Sequence, residues 1–438
     1  MSDEASGEPR GIYRHFPALA ERNFRLFIIG QIISLTGTWM QTPALKWVVY
    51  DITKSRQALG TVDFLSQLPV TVLVMAAGVF VDRHSRLRIV IFTQVCLTLA
   101  AFAFGVFAQT GHLTIMVIYT VVILSGIAQA FDVPARQSFI MEMAGRKSLG
   151  NAIAVNSATF NSARVIGPSV GALVLAAVGA MWCFYLNALS YLAVLWALFS
   201  MKDLHLRRIE KSKEGFKDLL DGMRYVRAHP HIMPLLMVTA MYGLFGNYFT
   251  TLLPTFAKDI YHANEFRYGL LFSAIGIGAA TGAVRTAIKG KSDRWERRTV
   301  VGLFLAAITT VGLSVATNYY VAFALTVVLG FGMMSFLVCS NTLIQHLAAP
   351  QYVGRVISVR HFVFGGMFPF GALIAGFAAQ RVGPQWTVAG SGAMLLVAFF
   401  ALGPKVLRIS LPEPGAAEEV SQANGEKAAD TGGASPGA

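Results

Sequence analysis

Long apolar runs dominate this 438-residue sequence and leave few choices of fold. About twelve of them reach the length of roughly 20 residues that carries a helix across a bilayer. Charged residues make up only 13% of the chain, about half the usual share in soluble domains. The sequence therefore predicts an all-α polytopic membrane protein. The predicted spans are 24–50, 59–81, 88–108, 112–134, 150–178, 180–201, 231–257, 266–289, 298–317, 320–346, 355–380 and 384–407.

Basic residues alternate between successive loops. Loops such as 83–88 and 202–230 are rich in arginine or lysine, whereas 109–111 and 178–180 contain neither. Short loops with Lys and Arg stay on the cytoplasmic side of a membrane. We therefore expect both termini in the cytoplasm, which requires an even number of spans. The net charge of +13 belongs to this pattern, and a nucleic-acid partner is not expected.

The two halves of the sequence are weakly repeated. Residues 149–156 align with 353–360, and Gly-Ala-Leu at 171–173 recurs at 371–373. This predicts two six-helix pseudo-repeats with a substrate site between them. The predicted organisation is a cytoplasmic segment 1–23 without a cleavable signal peptide, a bundle 24–201, a basic linker 202–230, a bundle 231–407 and a disordered tail 408–438.

The basic linker 202–230 contains apolar residues at helical spacing. We expect a short amphipathic helix that lies on the anionic inner leaflet, because its polar face carries lysine and arginine. A partner-binding segment is the alternative interpretation.

A short charged turn separates the second and third spans. It contains Gly78, Asp82 and Arg83, followed by Arg86 and Arg88. This turn resembles motif A of the major facilitator superfamily. The resemblance implies a cytoplasmic latch in which Asp82 pairs with a nearby arginine and caps the start of the eleventh span. Plain positive-inside anchoring explains the arginines but not Asp82. The predicted latch residues are Gly78, Asp82, Arg83, Arg86, Arg136 and Arg355; the second-half turn 289–298 lacks the matching glycine.

The stretch Phe131–Gln137 resembles the drug and siderophore exporter branch of the same superfamily. Within it, Pro134 predicts the end of a helix, and Asp132 and Arg136 can pair four residues apart. The resemblance implies proton-driven export of a small amphipathic metabolite, siderophore or drug by a monomer without a cofactor. It also implies a location in the bacterial inner membrane.

The fifth span contains a Gly-Pro element that resembles motif C of proton-driven exporters. Gly167, Pro168 and Gly171 predict a kinked helix in close contact with a neighbour, although a generic kinked helix has the same pattern. Arg164 lies near the middle of this span, where an arginine faces a cavity or a partner.

Other polar residues within the spans are candidates for substrate or proton binding. We expect Lys46 and Arg285 to snorkel to the membrane surface. The candidates for proton coupling are Asp63 and Asp132, because carboxylates are scarce within the spans. Both lie near the ends of their spans rather than at the midplane, so proton coupling is implied by the family resemblance. The cavity candidates are Gln31, Gln41, Asn156, Asn161, Arg164, Tyr242, Asn247 and Arg360.

Alternative function classes find little support. The sequence contains no catalytic His cluster, metal-ligand spacing or ATP-binding glycine-lysine loop, and Cys96, Cys183 and Cys339 have no paired spacing. An enzyme or a metal site is therefore not expected. A receptor-like protein that keeps the fold without transport remains the alternative to a transporter.

Overall fold

The computed structural model describes residues 16–201, 215–288 and 294–409, and the regular elements in these ranges are helices. A 3-10 turn (Pro17–Ala20) precedes the first long helix, and a π turn (Phe256–Ile260) follows the eighth. The helices are α1 (Arg22–Thr53), α2 (Arg56–Arg83), α3 (Arg86–Gln109), α4 (Ile115–Val178), α5 (Ala180–Phe199), α6 (Gly215–Ala228), α7 (Met233–Phe245), α8 (Tyr248–Thr255), α9 (Glu265–Ile288), α10 (Trp295–Val315), α11 (Tyr319–Leu347), α12 (Val353–Val382) and α13 (Pro384–Leu407).

Eleven segments in these ranges are long and apolar enough to cross a membrane. They correspond to the predicted spans from the second onwards. The first predicted span, 24–50, forms the 32-residue helix α1, which packs along α4 and α5. Its apolarity is lower because polar residues such as Gln31 and Gln41 interrupt it. The all-helical membrane fold is confirmed.

Helix α4 is unusual because it contains two candidate spans, Ile115–Ala144 and Ser148–Val178, without a break in helical structure. Its first part packs near Tyr50, its middle packs around Phe27, and its end packs near Trp47. The chain therefore reverses within the helical segment. The prediction that Pro134 ends a helix was wrong, since the helix continues through it.

The two halves meet along two seams: α2 packs against α12, and α4 packs against α9. In the second half, the predicted span 231–257 is divided at Gly246–Asn247 into α7 and α8. A broken helix at membrane depth is tolerated where it lines a cavity or is covered by protein. Asn247 lies at this break, and its carbonyl oxygen accepts hydrogen bonds from α8.

Helix α6 forms within the predicted linker and packs on α12. Leu219 and Val226 are buried against Val356 and Val359, so its apolar face is covered by protein rather than lying only on the leaflet. The remaining parts of several predictions lie outside the described residues: segment 1–15, the linker before α6, the turn at 289–293 and the tail after 409.

Candidate functional site: an interface sealed at one end

A buried ion pair closes one end of the interface between the halves. The Lys46 ammonium donates to the Asp63 carboxylate at 2.7 Å, and the two side chains are only 10% and 11% exposed. Thr251 in α8 donates to the same carboxylate oxygen at 2.8 Å, and Lys46 also reaches the Thr250 carbonyl oxygen at 3.4 Å. The pair therefore joins α1 and α2 to the second half. The prediction that Lys46 snorkels was wrong, because a buried carboxylate holds it inside.

A more exposed ring of contacts surrounds this pair. Lys258 donates to Asp51 at 2.5 Å, and its ammonium lies 4.1 Å from the centre of the Trp47 ring. Arg56 pairs with Asp259 at 3.3 Å. Each contact joins the first half to the second. We call this part of the interface, from the Lys46–Asp63 pair to the Arg56–Asp259 pair, the sealed end.

Small residues let the backbones meet closely at the sealed end. A Cβ atom built on Gly60 would lie 2.3 Å from the Ala372 carbonyl oxygen, and one on Gly376 would lie 2.9 Å from the Gly60 Cα. In the other seam, a Cβ atom on Gly269 would lie 2.2 Å from the Ala172 Cβ. Small residues at crossings permit this close packing of membrane helices.

The halves separate towards the opposite end of α2 and α12. The Thr71 hydroxyl still donates to the Gly365 carbonyl oxygen at 3.2 Å. Further along, no described atom lies within 4 Å of a Cβ position built on Gly78 or on Gly354. We call this region the open end. The predicted pairing of Asp82 with the start of α12 is not among the described ion pairs, although the linker helix α6, which packs on α12, also contacts α2.

The charged side chains at the open end pair within their own half. Asp82 lies 3.8 Å from Arg86, which pairs more closely with Glu142 at 2.6 Å. In the second half, Arg355 lies 3.9 Å from Asp221 of the linker helix. The latch residues are thus present, but no described ion pair among them crosses between halves. Arg83 is exposed at the end of α2.

Asp132 and Arg136 form the pair that their spacing predicts. Asp132 is fully buried and also accepts from Thr93 at 2.8 Å and from Gln94 at 2.9 Å. These partners lie on α3 and α4, so the network belongs to the first half alone. Arg136 pairs here with Asp132 rather than with Asp82.

Arg164 lies where the two halves meet at mid-depth. Its guanidinium is 5.6 Å from the Trp39 ring centre in the first half and 3.7 Å from the Met333 sulfur in the second. It also lies close enough to Tyr242 to interact electrostatically. No described carboxylate is within ion-pair distance of it. The site thus combines a cation with two aromatic side chains and a thioether.

The hydroxyl group of Tyr242 adds a buried polar atom to this site. Its oxygen has no hydrogen-bond partner, and its ring packs 5.0 Å from the Phe336 ring. A buried hydroxyl without a partner is costly, so such a group is commonly satisfied by a ligand or a water molecule. Arg164, Trp39 and Tyr242 are the candidate substrate contacts that the structure brings together.

Other predicted cavity residues have their described contacts within one half. Gln41 accepts from Asn187 at 2.6 Å within the first half, and Gln31 is buried there. Asn161 donates to the Ser157 carbonyl oxygen at 2.8 Å, and Asn156 is half-buried. Arg360 is 5% exposed and donates to the Leu337 carbonyl oxygen at 2.9 Å, inside the second half. Arg360, a predicted cavity residue, thus has its described contacts inside the second half.

The Gly-Pro element of α4 packs against α1. A Cβ atom on Gly167 would lie 2.4 Å from the Trp39 Cβ, and one on Gly171 would lie 2.8 Å from the Met40 carbonyl oxygen. Pro168 lies between them in a continuous helix. The predicted close neighbour is thus α1, and this contact fixes the Trp39 side chain beside Arg164.

Comparison with known proteins agrees with this architecture. The family described as transmembrane secretion effector matches residues 14–429 of the chain. The chain belongs to this family of the major facilitator superfamily. The chain is therefore a multi-span membrane transporter rather than an enzyme, as its sequence predicts.

Relatives of this secretion effector include named exporters. It is 21% identical to macrolide efflux protein A of Streptococcus pyogenes over 84% of this chain and 92% of that protein. It is 23% identical to the enterobactin exporter EntS of Escherichia coli, over 85% and 89% respectively. The crystal structure of a bacterial homologue of the lysosomal transporter Spinster shares the fold, with a TM-score of 0.71 at 13% identity, over 93% of this chain and 100% of that one.

The contact of Asp63 with Lys46 and Thr251 was missed by sequence reasoning. The three residues lie in three separate helices, and Thr251 is 188 positions from Asp63. The available signal was weak: one lysine and one aspartate, each inside an apolar run, 17 positions apart. Two opposite charges at similar membrane depth suggest an ion pair, because burying either charge alone in the membrane is costly.

Proposed function

We propose that this protein is a proton-coupled exporter that works by alternating access in a bacterial inner membrane. The proposal rests chiefly on the Lys46–Asp63–Thr251 contact, which seals one end of the interface while the other end is open. The open end carries the arginine-rich turn at Arg83 and Arg86, which supports a cytoplasmic orientation. In this orientation the structure is inward-facing, both termini are cytoplasmic, and a monomer contains the complete pathway.

The proposed substrate is an amphipathic molecule with an aromatic or apolar body and a negative group. Arg164 supplies a cation at mid-depth, and Trp39, Tyr242 and Met333 supply the aromatic and polarisable contacts. Such a site suits an anionic siderophore or an acidic secreted metabolite. The names of the relatives support export of drugs and siderophores in general.

Asp63 is the proposed proton carrier. Opening of the sealed end separates Thr251 and the Thr250 carbonyl group from Asp63 and Lys46, and exposes the carboxylate to the external solution. A proton bound there neutralises the partner of Lys46. Resealing favours the charged carboxylate, which pairs with Lys46, so the proton leaves towards the cavity as the pair reforms; a neutral side chain that keeps the hydrogen bonds can still reseal but carries no proton. Proton movement and gating are thereby linked at one residue.

Asp132 is the second carboxylate candidate. It is held by Thr93, Gln94 and Arg136, all within the first half. Protonation there changes contacts within one half and has no direct connection to the seams. For this reason Asp63 is favoured.

Metabolite profiling with coupling variants tests the proposal. Cells lacking the protein are complemented with the wild-type, Asp63→Asn or Asp132→Asn protein, and intracellular and extracellular metabolites are compared with and without an uncoupler. We expect uncoupler-sensitive export of one compound class. Asp63→Asn should abolish concentrative export while substrate exchange across vesicles without a pH gradient persists.

Several outcomes contradict parts of the proposal. If Asp132→Asn alone separates exchange from concentrative export, the proton carrier is Asp132. If export is insensitive to the uncoupler, proton coupling is wrong. If no compound differs under any growth condition, the receptor-like alternative is favoured.

A further inference from the structure

A lateral groove in the second half lies away from both seams. Helices α9 and α10 each pack against α11, which forms the floor between them. A cavity of about 590 Å³ occupies this groove at the end that carries the last turn of α9 and the start of α10. Phe331, Ser335 and Cys339 line its floor at a spacing of four residues, so they share one face of α11.

Four arginines surround this cavity, and none of its lining residues is acidic. Arg285 comes from α9, and Arg294, Arg297 and Arg298 come from the start of α10. Within the described residues, neither Arg285 nor Arg297 makes an ion pair or a hydrogen bond, although Arg285 lies 5.5 Å from the Phe331 ring centre. Arg285 and Arg297 have no described carboxylate partner. They favour binding of an anion with several oxygen atoms, because each guanidinium group offers several N–H donors in one plane.

The cavity also has an apolar wall that continues along the bundle surface. Val301 and Leu305 line it, and Val301 is 44% exposed. Phe304 and Ile308 extend the exposed face of α10 away from the arginines. A ligand with a charged head and an apolar chain matches this division. A free anion would use the arginines but leave the apolar wall uncovered.

We propose that this groove binds the phosphate headgroup of an anionic membrane lipid, with an acyl chain along Val301, Phe304 and Ile308. Basic pockets between membrane helices bind acidic lipid headgroups by this combination of charge and apolar surface. The site goes beyond the proposed export function, because its lining residues are different from those that contact Arg164 and from those of the sealed end. Arg285 and Arg297 are the central contacts of the proposed site.

Native mass spectrometry of the purified protein in phosphatidylcholine nanodiscs with added phosphatidylglycerol tests the site. Each arginine near an acidic headgroup contributes roughly fivefold in affinity. The double variant Arg285→Gln/Arg297→Gln should therefore weaken retention of phosphatidylglycerol about 25-fold. The variant Arg285→Lys/Arg297→Lys should retain most of the binding, because it keeps both charges.

A matched control removes the same charge from the other end of the bundle. Arg267→Gln/Arg381→Gln changes α9 and α12 near the sealed end and should leave phosphatidylglycerol retention unchanged. Equal retention by the two glutamine variants would overturn the proposal. So would loss of retention in the lysine variant together with an unchanged thermal midpoint, because charge would then not explain binding.

A soluble phosphate is the competing source of the same chemistry. Glycerol 3-phosphate is added to wild-type protein in phosphatidylcholine nanodiscs, and the thermal midpoint is compared with that in phosphatidylglycerol nanodiscs. Stabilisation by phosphatidylglycerol alone supports the lipid. Equal stabilisation by glycerol 3-phosphate would overturn the lipid assignment in favour of a soluble phosphate ligand.

Discussion

The sealed end and the open end of the interface use charged residues in opposite ways. At the sealed end, Asp63 has partners in both halves. At the open end, the ion pairs of Asp82 and Arg86 stay within the first half. The difference shows that the position of the partners, rather than the number of charges, determines which end holds the halves together.

Burial also separates the two ends. Asp63 is 11% exposed in its side chain, whereas Asp82 is 39% exposed. A charge held out of water depends strongly on its partner, while an exposed charge is screened. Changes at the sealed end should therefore have the larger effects.

The largest expected effect comes from leaving one buried charge without a partner. Asp63→Ala should reduce the free energy of unfolding by about 3–5 kcal/mol, because Lys46 would stay buried and uncompensated. The double variant Lys46→Met/Asp63→Leu should recover much of this loss, because it removes both charges. Thermal midpoints in detergent provide the comparison, with Asp259→Asn as a more exposed control. A double variant less stable than Asp63→Ala would contradict the explanation.

Glycine substitutions compare the two ends of α2 directly. Gly60→Ala would place a methyl group 2.3 Å from the Ala372 carbonyl oxygen, whereas Gly78→Ala meets no atom within 4 Å. Steric overpacking typically costs about 1–3 kcal/mol. Gly60→Ala should therefore spread the sealed end and lower export severalfold, whereas Gly78→Ala should leave the sealed end unchanged.

Spin labels attached at Lys54→Cys and Arg381→Cys measure the distance between the two halves at the sealed end. The three native cysteines are removed in this background. We expect longer distances in the Gly60→Ala protein than in the Gly78→Ala protein. Indistinguishable distance distributions would show that the close glycine crossing does not control the sealed end.

Asp82→Asn should lower export without lowering abundance or stability. In this structure its side chain lies 3.8 Å from Arg86, and no described ion pair joins it to a second-half residue, so the substitution should cost little stability. The effect is expected only when the open end closes and the turn meets the start of α12. Export and membrane abundance are measured together, with Arg88→Gln, an exposed residue at the start of α3 outside the predicted latch, as the control. Unchanged export would show that the turn only anchors the membrane topology and has no role as a latch.

The smallest expected effect is at the rim of the sealed end. The hydrogen bond from Lys258, followed by that from Lys54, lowers the pKa of Asp51, which lies just beyond the first predicted span. A lowered pKa means that the stabilisation is present above the ordinary value and is lost as pH falls through the lowered one. Since the Asp51 side chain is 56% exposed, Asp51→Asn should change the thermal midpoint only slightly.

A pH series measures this rim contribution. The difference between wild-type and Asp51→Asn midpoints should be constant at neutral pH, begin to shrink at about pH 4, the ordinary value for an aspartate, and vanish only below the lowered pKa of Asp51. A difference that grows as the pH falls from 7 to 5 would contradict the assignment.

Several elements of the site could be predicted from local pattern. The Asp132–Arg136 pair follows from a spacing of four residues in a helix. The close packing of Gly167 and Gly171 follows from small residues beside a proline, although the sequence did not identify α1 as the neighbour. Arg164 was predicted to be functional because burying an arginine at mid-span is energetically unfavourable unless it faces a cavity or a partner.

Other residues required the tertiary structure. Arg360 and Arg164 have similar positions within apolar runs, yet Arg360 donates to backbone and hydroxyl groups of α11 while Arg164 lies between the halves. Helix rotation and the packing partner decide between these environments, and neither is contained in the spacing of residues. The break between α7 and α8 was likewise hidden within one apolar run.

The sequence by itself determined a helical membrane protein, because the lengths of apolar runs and the placement of basic loops are constrained by the bilayer. The transporter class came from the resemblance of its motifs to the major facilitator superfamily. The tertiary structure decided which end is sealed, since that depends on contacts between residues as distant as Asp63 and Thr251. It also decided that Lys46 is a buried partner and that Arg164 faces the interface. Bilayer insertion acts on each segment separately, whereas gating depends on how two bundles meet.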